Sequence, residues 1–217
     1  MTLFEDLGIS QELLNTVKKL NFEKPTEIQE QSIPLIMDNK DVIGESATGS
    51  GKTLAFGAGI IKKVEPKKGL QSLILTPTRE LALQVSDALK EFSERKLKIV
   101  TVYGGVGIDK QIFDLRKADV VVATPGRLLD HLQRRTINLS RIKVLVLDEA
   151  DRMLDMGFID DVERIISQCP RERQTLFFSA TISAQIRSLA DRFMNNPMKV
   201  SAKKQVDPSK LKQVYYD

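Results

Sequence analysis

The feature that most constrains the fold is a regular alternation between short apolar runs and longer amphipathic stretches. The apolar runs cover residues 42–43, 72–75, 99–103, 120–123, 144–147 and 175–178. Several are unbroken runs of Val, Ile and Leu, which is typical of strands covered on both faces. The stretches between them have helical spacing, as at 79–94, 126–134, 159–168 and 184–194. The pattern predicts an α/β fold with helices on both faces of a mostly parallel central sheet.

The two ends of the chain differ from this pattern. Near the start, Ser10 is placed to cap a helix over 11–20, and Thr26 to cap another over 27–37. At the other end, residues 201–217 are polar, rich in lysine and contain Pro208. We therefore expect a region over 1–40 that packs on the core, a main domain over 41–205, and a linker over 206–217 that leads to something further.

Composition excludes some classes of function. The net charge of +4 is compatible with a nucleic-acid partner but is weak support for one. A single cysteine, Cys169, excludes an internal disulfide and a cysteine-based zinc site. Neither a secretory leader nor an apolar run of membrane-spanning length is visible, so a cytoplasmic protein without membrane contact is expected.

A glycine-rich segment follows the first predicted strand and opens a helix. Glycines at positions 49 and 51 allow successive backbone amides to point inward and cradle phosphate oxygens. Lys52 would reach the β- and γ-phosphates, and the Thr53 hydroxyl would bind Mg²⁺. The strict pattern has glycine at the first position, where this chain has serine. The segment nevertheless predicts ATP binding by Ser46, Ala47, Thr48, Gly49, Ser50, Gly51, Lys52 and Thr53.

Two carboxylates at the end of the strand over 144–147 complete this prediction. Such a loop needs an acidic partner at the end of a neighbouring strand, and Asp148 and Glu149 occupy that place. Asp148 would hold Mg²⁺ directly or through water, and Glu149 would orient or deprotonate the attacking water. Two acidic residues alone would often be a solvated turn. Together with the glycine-rich loop they predict a catalytic set of Lys52, Thr53, Asp148 and Glu149.

A repeated helix start indicates a second anion-binding surface. The segments Thr76-Pro77-Thr78-Arg79-Glu80-Leu81 and Thr124-Pro125-Gly126-Arg127-Leu128-Leu129 share the form T-P-x-R-x-L, and each follows a predicted buried strand. Threonine suits the N-cap and proline the first helical position. Either segment alone is most simply a well-capped helix, but two copies favour a phosphate backbone that crosses this edge without base readout. The pair Gly104-Gly105 would permit close approach to the same ligand.

With these segments in order, the chain resembles the DEAD-box RNA helicases. Asp148-Glu149-Ala150-Asp151 spells the motif that names the family, and Ser179-Ala180-Thr181 follows it. The segment from Asn21 to Gln29 is similar to the family's Q motif, with Asn21 in place of the usual glycine and Phe4 as the preceding aromatic residue. The resemblance extends from Phe4 to about residue 205, and it implies the first RecA-like core domain of an ATP-dependent RNA helicase.

The resemblance assigns roles that the residues alone would not. It implies that Gln29 bonds the adenine edge and that Phe22 packs on the ring, which would favour ATP. Asp151, Ser179 and Thr181 would couple the ATP site to the RNA site. RNA, distinguished from DNA by its 2′-hydroxyl groups, would lie along Pro77, Thr78, Arg79, Gly104, Gly105, Thr124, Pro125, Gly126 and Arg127.

The resemblance also implies a second RecA-like domain, whose arginines would complete the ATP site. Nothing after Thr181 resembles its motifs. We therefore expect this chain alone to bind nucleotide modestly and to hydrolyse it poorly. Two other classes of protein are alternatives to the helicase. The Q-like segment and Ser179-Ala180-Thr181 argue against a DNA helicase or a transport ATPase, and intact Lys52, Thr53, Asp148 and Glu149 argue against a non-enzymatic module.

Overall fold

The computed structural model describes residues 2–202, which form one α/β domain. The predicted linker over 206–217 lies outside the described residues, as does the predicted domain end at 205. A 3₁₀ turn at Phe4–Leu7 precedes the first helix. The helices are α1 (Gln11–Lys19), α2 (Glu27–Met37), α3 (Lys52–Lys63), α4 (Arg79–Phe92), α5 (Ile108–Leu115), α6 (Pro125–Gln133), α7 (Ala150–Asp155), α8 (Ile159–Ile166) and α9 (Ala184–Phe193). The strands are β1 (Val42–Glu45), β2 (Ser72–Leu75), β3 (Ile99–Val102), β4 (Val120–Ala123), β5 (Val144–Asp148), β6 (Gln174–Ser179) and β7 (Met198–Ser201).

The predicted parallel sheet is confirmed, and its strand order adds a correction. Within residues 2–202 the sheet has seven strands in the order β3-β4-β2-β5-β6-β1-β7, and each pair is parallel. The acidic strand β5 was expected to neighbour the strand before the glycine-rich loop, but β6 lies between β5 and β1. Helical crossovers can skip a strand, so chain order does not reveal this spacing.

Both faces of the sheet are buried, as the unbroken apolar runs predicted. Val120 and Val122 of β4 point into a core formed with α1 to α4. Val121 and Ala123 of the same strand point into a second core, which α5 to α9 complete. The alternation of side chains along each strand thus supplies two cores from one sheet.

Three elements were not predicted, and two local assignments were wrong. Helices α5 and α7 and strand β7 were not predicted, and Ser201 belongs to β7 rather than to a linker. In the first T-P-x-R-x-L segment, Thr76 was expected to be the N-cap and Pro77 the first helical residue, and both expectations were wrong. The N-cap of α4 is Thr78, whose hydroxyl accepts a 3.2 Å hydrogen bond from the Leu81 amide. Thr124 and Pro125 occupy the predicted N-cap and first position of α6.

Helix α3 runs from the glycine-rich loop between two other helices. A β-carbon at Gly59 would collide with Ile36 of α2, and one at Gly57 would come within 3.1 Å of Leu89 in α4. These glycines therefore allow close packing of helix on helix. Among helices between residues 2 and 202, none has the length and apolar character to cross a bilayer.

Candidate nucleotide-binding site and nucleic-acid interface

The glycine-rich loop connects β1 to α3 in a tight, left-handed turn. Gly49 and Gly51 have φ values of +79° and +91°, which residues with side chains rarely adopt. At Gly51 a β-carbon would also collide with the side chain of Gln29. Ser46, which replaces the expected glycine, is buried and its hydroxyl accepts a 2.9 Å hydrogen bond from the Ser50 hydroxyl. The substitution therefore adds a contact within the loop and leaves its curvature intact.

A buried ion pair lies beneath the loop. Lys52 Nζ is 3.7 Å from Asp148 Oδ1, and both side chains are nearly inaccessible to solvent. This separation is too long for a hydrogen bond, and Lys52 Nζ has no hydrogen-bond acceptor among residues 2–202. Burial raises the pKa of the Asp148 carboxyl to about 6, against the opposing attraction of Lys52. Within residues 2–202 the site thus holds an ammonium group without a bonded partner and a carboxyl group whose ionisation is disfavoured.

Glu149 is held by its backbone and by two side chains. Its φ of +53° lies in the left-handed region, which is unfavourable for a residue with a side chain. Its carboxylate accepts a 3.2 Å hydrogen bond from the Thr48 hydroxyl of the loop. On the other side, Arg152 Nη1 is 3.3 Å from the second carboxylate oxygen. These contacts connect the acidic strand end directly to the glycine-rich loop.

The side chains around Lys52 fit a magnesium ion that is shared with a phosphate ligand. Within residues 2–202, no group of three His, Cys, Asp or Glu side chains could hold a metal ion unaided. Mg²⁺ typically keeps several waters and uses one or two carboxylates together with substrate phosphates. Asp148 and the Thr53 hydroxyl match that donor set, and the Lys52 ammonium would pair with the remaining negative charge of the phosphate.

The Q-like segment contacts the glycine-rich loop directly. Gln29 is buried, and its amide Nε2 donates a 3.0 Å hydrogen bond to the Gly51 carbonyl. Its Oε1 accepts a 2.9 Å bond from the Thr26 amide, and the Thr26 hydroxyl donates a 2.7 Å bond to the Ser50 carbonyl. Asn21 has a φ of +57°, so the replacement of glycine there is tolerated as expected.

A cavity of about 400 Å³ lies between these elements, and one wall of it was not predicted. Phe22 is 41% exposed and lines the cavity together with Gln29, Lys52 and Asp148. The remaining wall comes from α4, through Leu81, Gln84, Val85, Ala88 and Phe92. The only sequence signal for this wall was the apolar stripe of α4, which also serves the core.

The three predicted coupling residues form one hydrogen-bonded cluster at the ends of β5 and β6. Asp151 Oδ2 accepts bonds from the Thr181 amide at 3.0 Å and the Thr181 hydroxyl at 3.1 Å. The Ser179 hydroxyl accepts a 3.0 Å bond from the Asp151 amide. Burial alone would raise the pKa of Asp151, but hydrogen bonding with Ser179, Arg152 and Thr181 lowers it. The cluster therefore favours the charged carboxylate.

The residues predicted to contact RNA lie at the ends of β2, β3 and β4, which are adjacent in the sheet. The Arg79 guanidinium lies 4.7 Å from the centre of the Tyr103 ring. Arg127 Nη1 donates a 2.9 Å hydrogen bond to the Val106 carbonyl. Gly105 is exposed and has a φ of +82°. Both arginines thus contact the segment that follows β3, and the predicted residues form one continuous edge.

Comparison with known proteins decides the family. The family model described as DEAD/DEAH box helicase matches residues 26–189, which include the glycine-rich loop, the acidic strand end and the coupling cluster. The chain belongs to the DEAD/DEAH box helicase family. It is 48% identical over its full length to the DEAD-box ATP-dependent RNA helicase CshA of Geobacillus kaustophilus, and spans 47% of that protein. It is 46% identical over 98% of its length to the RNA helicase CrhR of Synechocystis, of which it spans 44%.

Solved structures show the same fold for this DEAD/DEAH box helicase domain. A DEAD box protein from the hyperthermophile Methanococcus jannaschii superposes with a TM-score of 0.90 at 44% identity, covering 94% of this chain and 56% of that one. A hypothetical ATP-dependent RNA helicase from Sulfolobus tokodaii gives 0.83 at 39% identity, covering 89% and 57%. The predicted RecA-like architecture is confirmed, and the chain spans about half the length of the relatives that it matches.

Proposed function

We propose that this chain is the ATP-binding domain of an ATP-dependent RNA helicase, which locally unwinds or remodels RNA duplexes. The observation that carries the proposal is the buried pair of Lys52 and Asp148 beneath a left-handed glycine loop. A buried ammonium without a bonded acceptor is costly unless a ligand supplies one. A nucleotide phosphate at the loop would do so, and the adjoining 400 Å³ cavity has room for a base and sugar.

Each residue of the site has a distinct proposed role. The amides of the loop and Lys52 bind the phosphates, while Thr53 and Asp148 hold Mg²⁺, partly through water. The ion supplies charge neutralisation at the transferred phosphoryl group. Glu149, fixed by Thr48 and Arg152, orients or deprotonates the attacking water. Gln29, with Phe22 against the ring, binds adenine and would exchange its bond to Gly51 for one to the base.

The proposed RNA site uses the other half of the same sheet edge. Arg79, Arg127 and the exposed Gly104 and Gly105 would grip sugar and phosphate, so that binding is largely independent of sequence. A second RecA-like domain would close over both sites when ATP and RNA bind, and the cluster of Asp151, Ser179 and Thr181 would link them. Arginines of that domain would complete catalysis, because an arginine finger contributes about 10³ to 10⁵ in rate.

Nucleotide binding can be tested by thermal melting of this chain. ATP with Mg²⁺ should raise its melting temperature, since a ligand at about 100 times its Kd adds about 2.7 kcal/mol. Lys52→Ala should abolish the shift. Lys62→Ala, at an exposed site in the last turn of the same helix, is the matched control and should retain it. A wild-type chain that folds but shows no shift would contradict the proposal.

Two further measurements separate the helicase from its rivals. RNA should compete more strongly than DNA of the same sequence for the protein at fixed salt, whereas a DNA helicase would reverse that order. Steady-state ATP hydrolysis by this chain with RNA should be far below that of a protein with both RecA-like domains. Comparable turnover would show that the second domain is unnecessary for catalysis.

A further inference from the structure

A groove runs along the outer edge of β3, away from the proposed nucleotide cavity. It has a volume of about 490 Å³ and extends from Lys98, before the strand, to Tyr103, after it. Helix α5 forms the opposite wall. Gln111 fixes this helix, because its Nε2 donates a 2.9 Å hydrogen bond to the Tyr103 carbonyl and its Oε1 lies 3.0 Å from Nε2 of the buried His131. The groove is therefore preformed.

Charged side chains of both signs line this groove, and three lysines, Lys90, Lys98 and Lys110, outnumber two carboxylates. Lys98 and Lys110 both face it, and neither has a carboxylate within ion-pairing distance in the described part of the chain. Two carboxylates, Asp109 and Asp114, also line the groove, and both belong to α5. Strand β3 lies at the edge of the sheet, where strands present unpaired backbone donors and acceptors. Three of the four residues of β3 are buried, so the floor offers chiefly the partly exposed Thr101 beside the lysines.

The groove opens directly onto the two arginines assigned to RNA. Tyr103 lines its end and packs beneath the Arg79 guanidinium. Val106 lines the same end, and its carbonyl accepts the hydrogen bond from Arg127. An RNA strand held by Arg79 and Arg127 would therefore reach the mouth of the groove without crossing another helix or strand of the protein.

We propose that this groove binds the sugar-phosphate backbone of the RNA strand beyond the nucleotides held by Arg79 and Arg127. This inference rests on the proposed RNA-binding function and adds a subsite to it. Lys98 and Lys110 contact phosphates, and Thr101, the one residue of β3 that is not buried, contacts sugar hydroxyls. A peptide strand paired with β3 is the alternative occupant. Continuity with the arginines favours RNA, and so do the two lysines, which have no ion pair among residues 2–202, since strand pairing requires neither feature.

The test compares two lengths of single-stranded RNA, of about 6 and about 12 nucleotides, within the range of known single-strand sites. Affinities are measured by fluorescence anisotropy with the intact chain. The wild type should bind the longer RNA more tightly. The double variant Lys98→Gln/Lys110→Gln should lose that gain and bind the shorter RNA normally. Asp109→Asn/Asp114→Asn should strengthen binding of the longer RNA. Lys40→Gln/Lys199→Gln, at the opposite edge of the sheet, removes the same charge and should change neither length selectively.

Salt dependence provides a second readout. Each phosphate contact contributes about 0.7 to the slope of log affinity against log salt for single strands, so two lost contacts should lower the slope by about 1.4. The wild-type advantage for the longer RNA should therefore shrink about 7-fold between about 50 and about 200 mM salt. Melting temperatures of all variants verify folding.

The outcomes separate the groove from the site on which it rests. If the wild type fails to bind even the shorter RNA, the proposed RNA-binding function is contradicted. If both lengths bind equally well, or if the two double lysine variants lose affinity alike, the groove proposal is overturned while the site remains. If the folded wild type binds both RNA lengths with equal affinity, a peptide strand paired with β3 becomes the favoured occupant of the groove.

Discussion

Two opposing effects act on the pKa of Asp148, and the pH dependence of protein stability shows which of them dominates. Burial pushes this pKa up and the Lys52 ammonium pushes it down, and burial dominates in the structure, giving about 6 instead of 3.8. A raised carboxyl pKa means that the folded protein binds a proton more tightly than the unfolded chain. The resulting stabilisation is complete below the unfolded-state pKa and is lost as pH rises through the folded-state pKa.

The magnitude follows from the two pKa values. Linkage gives a loss on the order of 1 kcal/mol in the free energy of unfolding between about pH 5 and about pH 8. Asp148→Asn cannot titrate, so its stability relative to the wild type should rise by that amount over the same range. Any constant cost of leaving Lys52 unpaired cancels, because only the change with pH is compared. Urea unfolding of the metal-free proteins, followed by circular dichroism, measures it.

Two results would refute this reasoning about the Asp148 carboxyl. A stability difference between wild type and Asp148→Asn that does not vary with pH would mean that the carboxyl titrates alike in folded and unfolded chains. A difference that changes in the opposite direction would mean that the attraction of Lys52 outweighs burial. Asp38→Asn, which removes an exposed carboxylate near the start of β1, is the matched control for loss of one negative charge.

Three further predictions test packing, strain and coupling. Gly59→Ala should be clearly less stable than Gly57→Ala in urea unfolding, because overpacking against the buried Ile36 costs about 1–3 kcal/mol. A β-carbon at Gly57 would lie 3.1 Å from a terminal methyl group of Leu89, a milder overlap. Equal stabilities would contradict the packing argument. Glu149→Gly should be more stable than Glu149→Ala by about 1 kcal/mol, since only glycine adopts this left-handed backbone conformation without strain. The reverse order of stability would show that the backbone at this position is not strained. Asp151→Asn should accelerate hydrogen exchange at the Thr181 amide relative to Asp155→Asn, because the side chain that accepts the hydrogen bond from this amide loses its charge. An unchanged exchange rate would show that the cluster does not hold Thr181.

The sequence predicted those parts of the fold that are encoded locally. Six strands were found because their runs are largely apolar, and β7 was missed because Val200 is its only buried residue. Helix α5 was missed for a similar reason, since Gln111 and Leu115 are its only buried residues. The order of strands depends on which way each crossover packs, which no local pattern specifies.

In the candidate site, too, the features encoded locally were predicted and those that depend on packing were not. The glycine loop and the acidic strand end were predicted because their chemistry requires fixed residues at fixed spacing. The energetic state of the site could not be predicted, because it depends on burial and distance. No sequence pattern shows that Lys52 Nζ stops 3.7 Å from Asp148, or that the Gln29 amide bonds Gly51.

These energetic details bear on how tightly a nucleotide could bind. In the described part of the chain the site contains an ammonium without a bonded acceptor at Lys52, a destabilised carboxylate at Asp148 and a left-handed backbone at Glu149. A phosphate beside Lys52 and a cation beside Asp148 would relieve the first two costs, so part of the binding free energy in the proposed function comes from the strain of the free protein. The strain at Glu149 is different, because no ligand contact removes a positive φ. The presence of this strain in the folded protein therefore favours a role in orienting the Glu149 carboxylate. The stability difference between Glu149→Gly and Glu149→Ala measures the free-energy cost of that orientation.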